Sequence, residues 1–268
     1  KVLLPLILKI NDEILEERSR LEEIETKIKL KKKLYLADED FISEMSKKYN
    51  EPEKSIKNLK TKIDEIPVSL ALAQTIQETG WGTSRFAKRA QALFGEWTMG
   101  KHDGVLPKDR DDDKNHMIRK FDTLEDSIRA YATNLNSKSS YRKFRLSRQK
   151  MRGDCKTPSS LELAKYINLY SEQKGLYIKQ VRSIIADNRL TNFDEVKLEG
   201  SKWQFNADEK YCEELRAKKL ALKNQKLEKT LNQADEVAQT TKDDKNLSAP
   251  ENSENIDDGD VESILEYK

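Results

Sequence analysis

Glu78 is the only charged residue between Pro67 and Arg85, and its setting is that of an acid rather than a surface anion. In P-V-S-L-A-L-A-Q-T-I-Q-E-T-G-W-G, residues Leu70, Ala71, Ala73, Gln74 and Gln77 follow a helical rhythm, while Leu72 and Ile76 add a second apolar side. A helix apolar nearly all round is a buried one. Pro67 suits the first helical position and Gly80 the left-handed stop, which predicts a helix with Glu78 in its last turn. The partial negative charge of a helix C-terminus disfavours a carboxylate there, and the neighbouring indole of Trp81 disfavours it further. A carboxyl that stays protonated near neutral pH can protonate a leaving glycosidic oxygen. The plainer alternative is a solvated carboxylate at a helix end, paired with Arg85 or Arg89.

Glycosidic cleavage usually needs a second carboxylate across the cleft. Glu96, Asp103, Asp113 and Asp122 are the candidates, with Asp109, Asp111, Asp112 and Glu125 behind them. Asp122 and Glu125 also have a ready use at the start of a helix. The Asp111 to Asp113 run has neither the glycine nor the terminal Glu of an EF-hand loop. Two cysteines and two histidines without ligand spacing form no zinc site, so neither metal nor cofactor is expected. Pairing of Cys155 with Cys212 stays open.

The elements that must hold these groups are mostly helices. The 268 residues suffice for one sizeable domain with extensions. Charged residues are 37% of the chain, against about 25% in ordinary domains, so part of the length must be solvated. Six prolines and nine glycines are few for a sandwich of strands. From Ser201 onward there are 11 basic and 16 acidic residues; the first 200 residues hold 39 and 32. A basic body suits an anionic polymer, and no nucleic-acid motif accompanies it.

In order, the pattern predicts a charged amphipathic helix from Asn11 to Lys33, capped by Asn11 or Asp12, and short helices over Asp38–Tyr49 and Glu53–Ile63. After the Glu78 helix, Thr83 and Ser84 cap a brief helix to Ala90. Gly95 to Phe121 reads as a small β-hairpin with a loop at Lys108–Asn115. Helices then resume from Asp122 or Thr123, and from Ser140, Thr157 and Leu176, with Gly153 and Gly175 as stops. A further exposed helix is expected over Asp208–Gln239, and a disordered acidic tail over Thr240–Gly259. Val2–Ile10 is too short to span a bilayer. It reads as a helix packed on the body, or as the end of a removed signal or membrane anchor.

The string Q-E-T-G-W-G-T-S-R-F-A from Gln77, followed by Leu93-Phe94-Gly95, resembles the E-S-G-W-G-x-S-x-F-A…L-F-G signature of the peptidoglycan N-acetylglucosaminidase (glucosaminidase) family. Gly104 to Pro107, His116, Lys120 to Asp122, Ser127 to Tyr131, Asn134 to Asn136, Tyr141-Arg142 and Tyr177-Ile178 resemble its bacterial Bax-type subgroup. That subgroup has a Glu directly after the matching His, where this chain has Met117. The resemblance implies a mainly α, lysozyme-like fold with a small β-hairpin lobe. It divides the chain into a charged helical extension (1–36), a glucosaminidase domain (37–195) and a charged helical then acidic tail (196–268). It implies hydrolysis of the N-acetylglucosaminyl-β-1,4-N-acetylmuramic acid bond of peptidoglycan strands in the periplasm or cell envelope. Glu78 would be the general acid, and Trp81, Gly82, Tyr141 and Trp97 would bind the glycan; Tyr131, Phe86 and Phe94 would be scaffold. The 2-acetamido group of the sugar is an alternative to a second protein carboxylate. Muramidase or lytic transglycosylase chemistry on the same fold, and a non-catalytic envelope protein that binds glycan or recruits partners, are the alternatives.

Overall fold

Helix α4 (Val68–Thr79) lies at the centre of the core, with Leu70, Ala71, Ala73 and Gln74 all but inaccessible. The computed structural model describes residues 2–98, 104–105, 117–167, 174–201 and 209–243. Around α4 are α1 (Leu3–Lys29), α8 (Ser160–Leu163), α9 (Lys174–Asp187) and a 3₁₀ turn at Leu190–Phe193. The remaining elements are α2 (Leu36–Lys48), α3 (Ile56–Lys62), α5 (Arg85–Ala90), α6 (Leu124–Ser137), α7 (Arg142–Gly153) and α10 (Glu209–Asp243). Three short strands, β1 (Trp97–Thr98), β2 (Gly104–Val105) and β3 (Met117–Arg119), pair antiparallel in the order β1-β3-β2. The architecture is mainly α with one small β element, the class expected of a lysozyme-like chain. The expected two-stranded hairpin has a third strand, because β3 bonds on both edges: Ile118 faces Trp97 on one side and Val105 on the other. The loop expected at Lys108–Asn115 and the tail beyond Asp243 lie outside the described residues.

Pro67 caps α4 rather than opening it. The first turn is held from a distance: Asp194, just past the Leu190–Phe193 turn, accepts from the Ser69 N–H at 2.8 Å and the Ser69 hydroxyl at 2.7 Å. A carboxylate there satisfies donors that every helix start leaves unpaired.

Two expected boundaries differ. The apolar start and the charged helix are one continuous α1; Pro5 falls in its first turn, where a missing N–H breaks no bond. Asn11 is therefore not a cap. It is buried mid-helix, and its amide donates to the Ile66 carbonyl (2.8 Å) and accepts from the Ile66 N–H (3.0 Å), which fixes α1 to the segment entering α4. Gly175 is not a stop either, since α9 already includes it in its first turn.

A buried charge cluster joins α1, α3 and α7. Asp64 is 2% exposed. It takes Arg152 at 3.0 Å, Arg148 at 3.5 Å and Arg18 at 3.9 Å. Desolvation pushes its carboxyl up, but the charges of Arg148, Arg152 and Arg18 more than reverse this and hold it below the usual range. Its contribution is thus present above the unfolded carboxyl value and lost as pH falls through the lower folded one. Asp64→Ala leaves three guanidiniums facing one another and costs about 3–5 kcal/mol, measured as a lowered urea midpoint at pH 7.

The chain divides into two units, Lys1–Cys212 and Glu213–Lys268. In the first, Cys155 and Cys212 form a disulfide across 57 residues. In the second, the described part is helical, with Leu220 and Leu222 exposed.

Candidate active site

Glu78 occupies the last turn of α4. Gly80 ends the helix at φ +53, a conformation that favours glycine. Its N–H and that of Trp81 both turn back to the Ile76 carbonyl. The Thr79 hydroxyl donates to the Thr75 carbonyl (2.6 Å) and accepts from the Gly82 N–H (2.8 Å). The Ser84 N–H closes onto the Thr79 carbonyl at 2.9 Å, and the Ser84 hydroxyl caps α5 through the Ala87 N–H. This T-G-W-G-T-S knot fixes where the acid points.

Trp81 differs from expectation. It sits at φ +61 and is 67% exposed, so its indole does not desolvate Glu78. It offers an open aromatic face instead. The burial of Glu78 comes from elsewhere. Gly95, at φ +58, brings the chain against the carboxyl; a Cβ there would lie 3.5 Å from Glu78 Oε2, ordinary contact, so the left-handed backbone is what calls for glycine. Burial pushes the Glu78 carboxyl above its ordinary value, against a smaller opposing effect from Tyr177. No ion pair to Glu78 occurs among the described residues; Arg89 is exposed and the Arg85 side chain lies outside them.

Behind the acid runs a hydrogen-bond relay. The Tyr177 hydroxyl on α9 donates to Glu78 Oε1 at 2.8 Å. Gln74 Nε2 donates to that hydroxyl at 3.0 Å, and the Tyr131 hydroxyl donates to Gln74 Oε1 at 2.8 Å. Gln74 and Tyr131 are fully buried, and Phe94 stacks on Tyr131 with centroids 3.9 Å apart. The sequence signal for this relay is Gln74 itself: a polar residue four positions before Glu78, on the same face of an apolar helix. Tyr177→Phe removes the donor that favours the ionised acid, so the Glu78 carboxyl moves further up; a ¹³C carboxyl titration by NMR reads that direction.

Glu96 directly precedes β1, and its carbonyl accepts from the Arg119 N–H at 2.7 Å. Its side chain is 10% exposed. Oε1 is buried without a hydrogen-bond partner among the described residues. Burial pushes this carboxyl up, opposed by the charges of Lys138 and Arg119 and a bond from Asn134, and it stays above its ordinary value. The Tyr141 phenol feels the charge of both acids. Burial, then the charges of Glu96 and Glu78, push its phenol up to about 12. One phenol, 7% exposed, therefore lies within electrostatic reach of both carboxyls.

The other candidates are not brought here. Asp122 is exposed beside the Thr123–Asp126 capping box of α6. Glu125 pairs with Lys9 and Arg129. Asp103, Asp109, Asp111, Asp112 and Asp113 lie outside the described residues, as do the side chains of Trp97 and Phe86. Gly82 is exposed at φ +78. Among the described residues no group of three His, Cys, Asp or Glu has the arrangement of a metal site.

A glucosaminidase family profile, described as mannosyl-glycoprotein endo-beta-N-acetylglucosaminidase, matches residues 53–190. The chain is similar to "Protein bax" of Escherichia coli, 28% identical over 128 residues, which is 48% of this chain and 45% of that protein. The match thus spans under half of that curated relative. No solved structure matches the chain.

Proposed function

We propose, from the premise that this chain belongs to the glucosaminidase family, that it is a peptidoglycan hydrolase that cleaves the N-acetylglucosaminyl-β-1,4-N-acetylmuramic acid bond. The observation that carries this reading is Glu78, a largely desolvated carboxyl with a raised pKa at the fixed end of α4. Glu78 gives its proton to the glycosidic oxygen as the bond to the anomeric carbon breaks. Glu96, as carboxylate, takes a proton from the water that adds to that carbon. The released hydroxyl thus holds the proton of Glu78, and Glu96 holds that of the water.

The division of labour follows from the surroundings. Both carboxyls are raised by burial, but two cations, Lys138 and Arg119, favour the ionised form of Glu96. Among the described residues, Glu78 has only the Tyr177 hydroxyl to favour its ion. A difference in neighbouring charge of this kind is what can separate an acid from a base. Tyr141, Trp81, Gly82 and Trp97 are assigned to the glycan.

The disulfide supports action outside the cytoplasm, where such bonds persist. No helix among the described residues is long and apolar enough to cross a membrane. Borohydride reduction of digested sacculi tests the bond assignment. N-acetylglucosaminitol is expected at the new ends; muramitol or 1,6-anhydro ends would assign the neighbouring bond instead.

A further inference from the structure

Helix α7 carries three buried arginines, and only two of them have carboxylates. Arg148 and Arg152 meet Asp64, and Arg152 also meets Glu65 at 2.7 Å. Arg145, less than one turn before Arg148, is 4% exposed. Its Nη1 donates to the carbonyls of Leu135 (3.0 Å) and Lys138 (2.8 Å). These bonds fix the guanidinium at the C-terminal end of α6, whose partial negative charge offsets part of its own, and no ion pair reaches it among the described residues. A buried cation held without an ion pair has charge left over that an anion can still meet.

Arg145 lines a cavity of about 670 Å³ between α3 and α7, with Arg142, Lys57, Lys62, Ser139 and Glu51. Four of these residues are cationic and one is anionic. Glu51 is already engaged: Lys62 pairs with it at 2.9 Å and Asn58 donates to it at 3.0 Å. Burial raises its carboxyl, but those two partners more than reverse this and keep it ionised. The net positive charge of Arg142, Arg145 and Lys57 is left facing the cavity. Desolvation, then the charge of Arg142, push Arg145 down to about 10, with Glu51 opposing weakly. Two guanidiniums three residues apart on α7, both lining one cavity, make an arrangement that an oxyanion relieves, with charge-assisted bonds that favour Arg over Lys.

The place of the cavity narrows the source of that anion. Its wall includes Ser139, the first residue of the Ser139–Tyr141 turn. Ser139 and Arg142 line the cavity, and Tyr141 between them is the phenol that senses Glu78 and Glu96. The cleft and the cavity therefore share one turn of chain. A glycan strand held at Glu78 carries acidic peptide substituents on its lactyl groups, and their carboxylates are the anions nearest to hand.

We infer that the Arg142–Arg145 cavity is an oxyanion-binding site for the carboxylates of the peptide substituent on the bound glycan. The inference rests on the peptidoglycan reading above for the source of the anion, not for the site itself. The full chain, with its arginine Nε–H groups followed by NMR, is titrated with inorganic phosphate and separately with muramyl dipeptide. Saturable shifts of Arg142 and Arg145 with muramyl dipeptide are expected. Arg142→Glu, at an exposed position, keeps the fold and weakens that binding about tenfold, the loss of one charge-assisted contact. Lys57→Glu repeats the test from α3 without touching the Arg145 carbonyl bonds. In turnover, Arg142→Glu lowers the rate on peptide-bearing sacculi relative to amidase-stripped glycan. Shifts with phosphate alone overturn the peptide assignment. No saturable shift with either probe, or equal binding by wild type and both variants, overturns the site. A wild type that binds the dipeptide but cleaves neither glycan sinks the hydrolase reading and leaves the site standing.

Discussion

Glu78→Gln lowers kcat/KM on sacculi by about 10³-fold, inside the range of about 10²–10⁴ that general acid–base catalysis supplies. Glutamine keeps the shape of the side chain and can still accept from the Tyr177 hydroxyl, now bonded to Glu78 Oε1 at 2.8 Å. What it lacks is a proton to give. The loss therefore depends on the leaving group. An aryl N-acetylglucosaminide, whose phenolate leaves unaided, suffers far less than the glycan; equal losses on both would argue for a collapsed site instead.

The same variant is expected to fold at least as well as the wild type. Burial raises the folded-state pKa of Glu78. A carboxyl raised in this way contributes stability fully below its unfolded value, and that contribution is lost as pH rises through the folded one. Glutamine removes this loss, so the variant melts no lower than wild type at pH 7, and the gap in its favour closes on acidification. An inactive but undiminished protein is what distinguishes lost chemistry from lost structure.

Glu96→Ala lowers turnover by about 10²–10³-fold, also within the range of a base or acid removed from its site. Formate or azide restores part of the activity by entering the vacated space, and does not restore Glu96→Gln, in which the space stays filled. The pH profile separates the two carboxyls. Glu96 must be ionised and Glu78 protonated, so activity rises with pH through the Glu96 value and falls through the Glu78 value. Glu96→Ala flattens the acid side of the profile and leaves the alkaline fall in place. Of the groups facing Glu96, Lys138 and Arg119 draw its pKa down, Asn134 bonds it, and Tyr141 lies within range of its charge. Lys138→Met therefore moves the acid limb to higher pH. A Glu96→Ala enzyme within about threefold of wild type would leave Glu78 as acid and return the second role to the substrate amide or to another carboxyl.

Local signals carried much of this into the sequence. Helix α4 was legible because its caps and its apolar rhythm agree, and Glu78 stood out by being the lone charge on it. Helix α6 announced itself through Thr123 and the acidic residues behind it. Long-range pairings left no such trace. Asn11 resembles a cap until Ile66 is folded against it, 55 residues away in sequence. Asp64 is one of many acids until α7 delivers Arg148 and Arg152 to it. Tyr177 needs the packing of α9 on α4 before it can reach Glu78. Trp81 shows the reverse limit: sequence adjacency suggested an indole wall, and the left-handed turn points that residue into solvent. Glu96 was one acid among several, and only its burial near Lys138, Arg119 and Asn134 separates it from Asp122.

Muropeptide release from purified sacculi, followed by mass spectrometry for wild type and Glu78→Gln side by side, tests the central claim most directly. Steady release by the wild type, with at most about a thousandth of that rate from the variant, is the expected result. Release at comparable rates by a folded Glu78→Gln protein would contradict it.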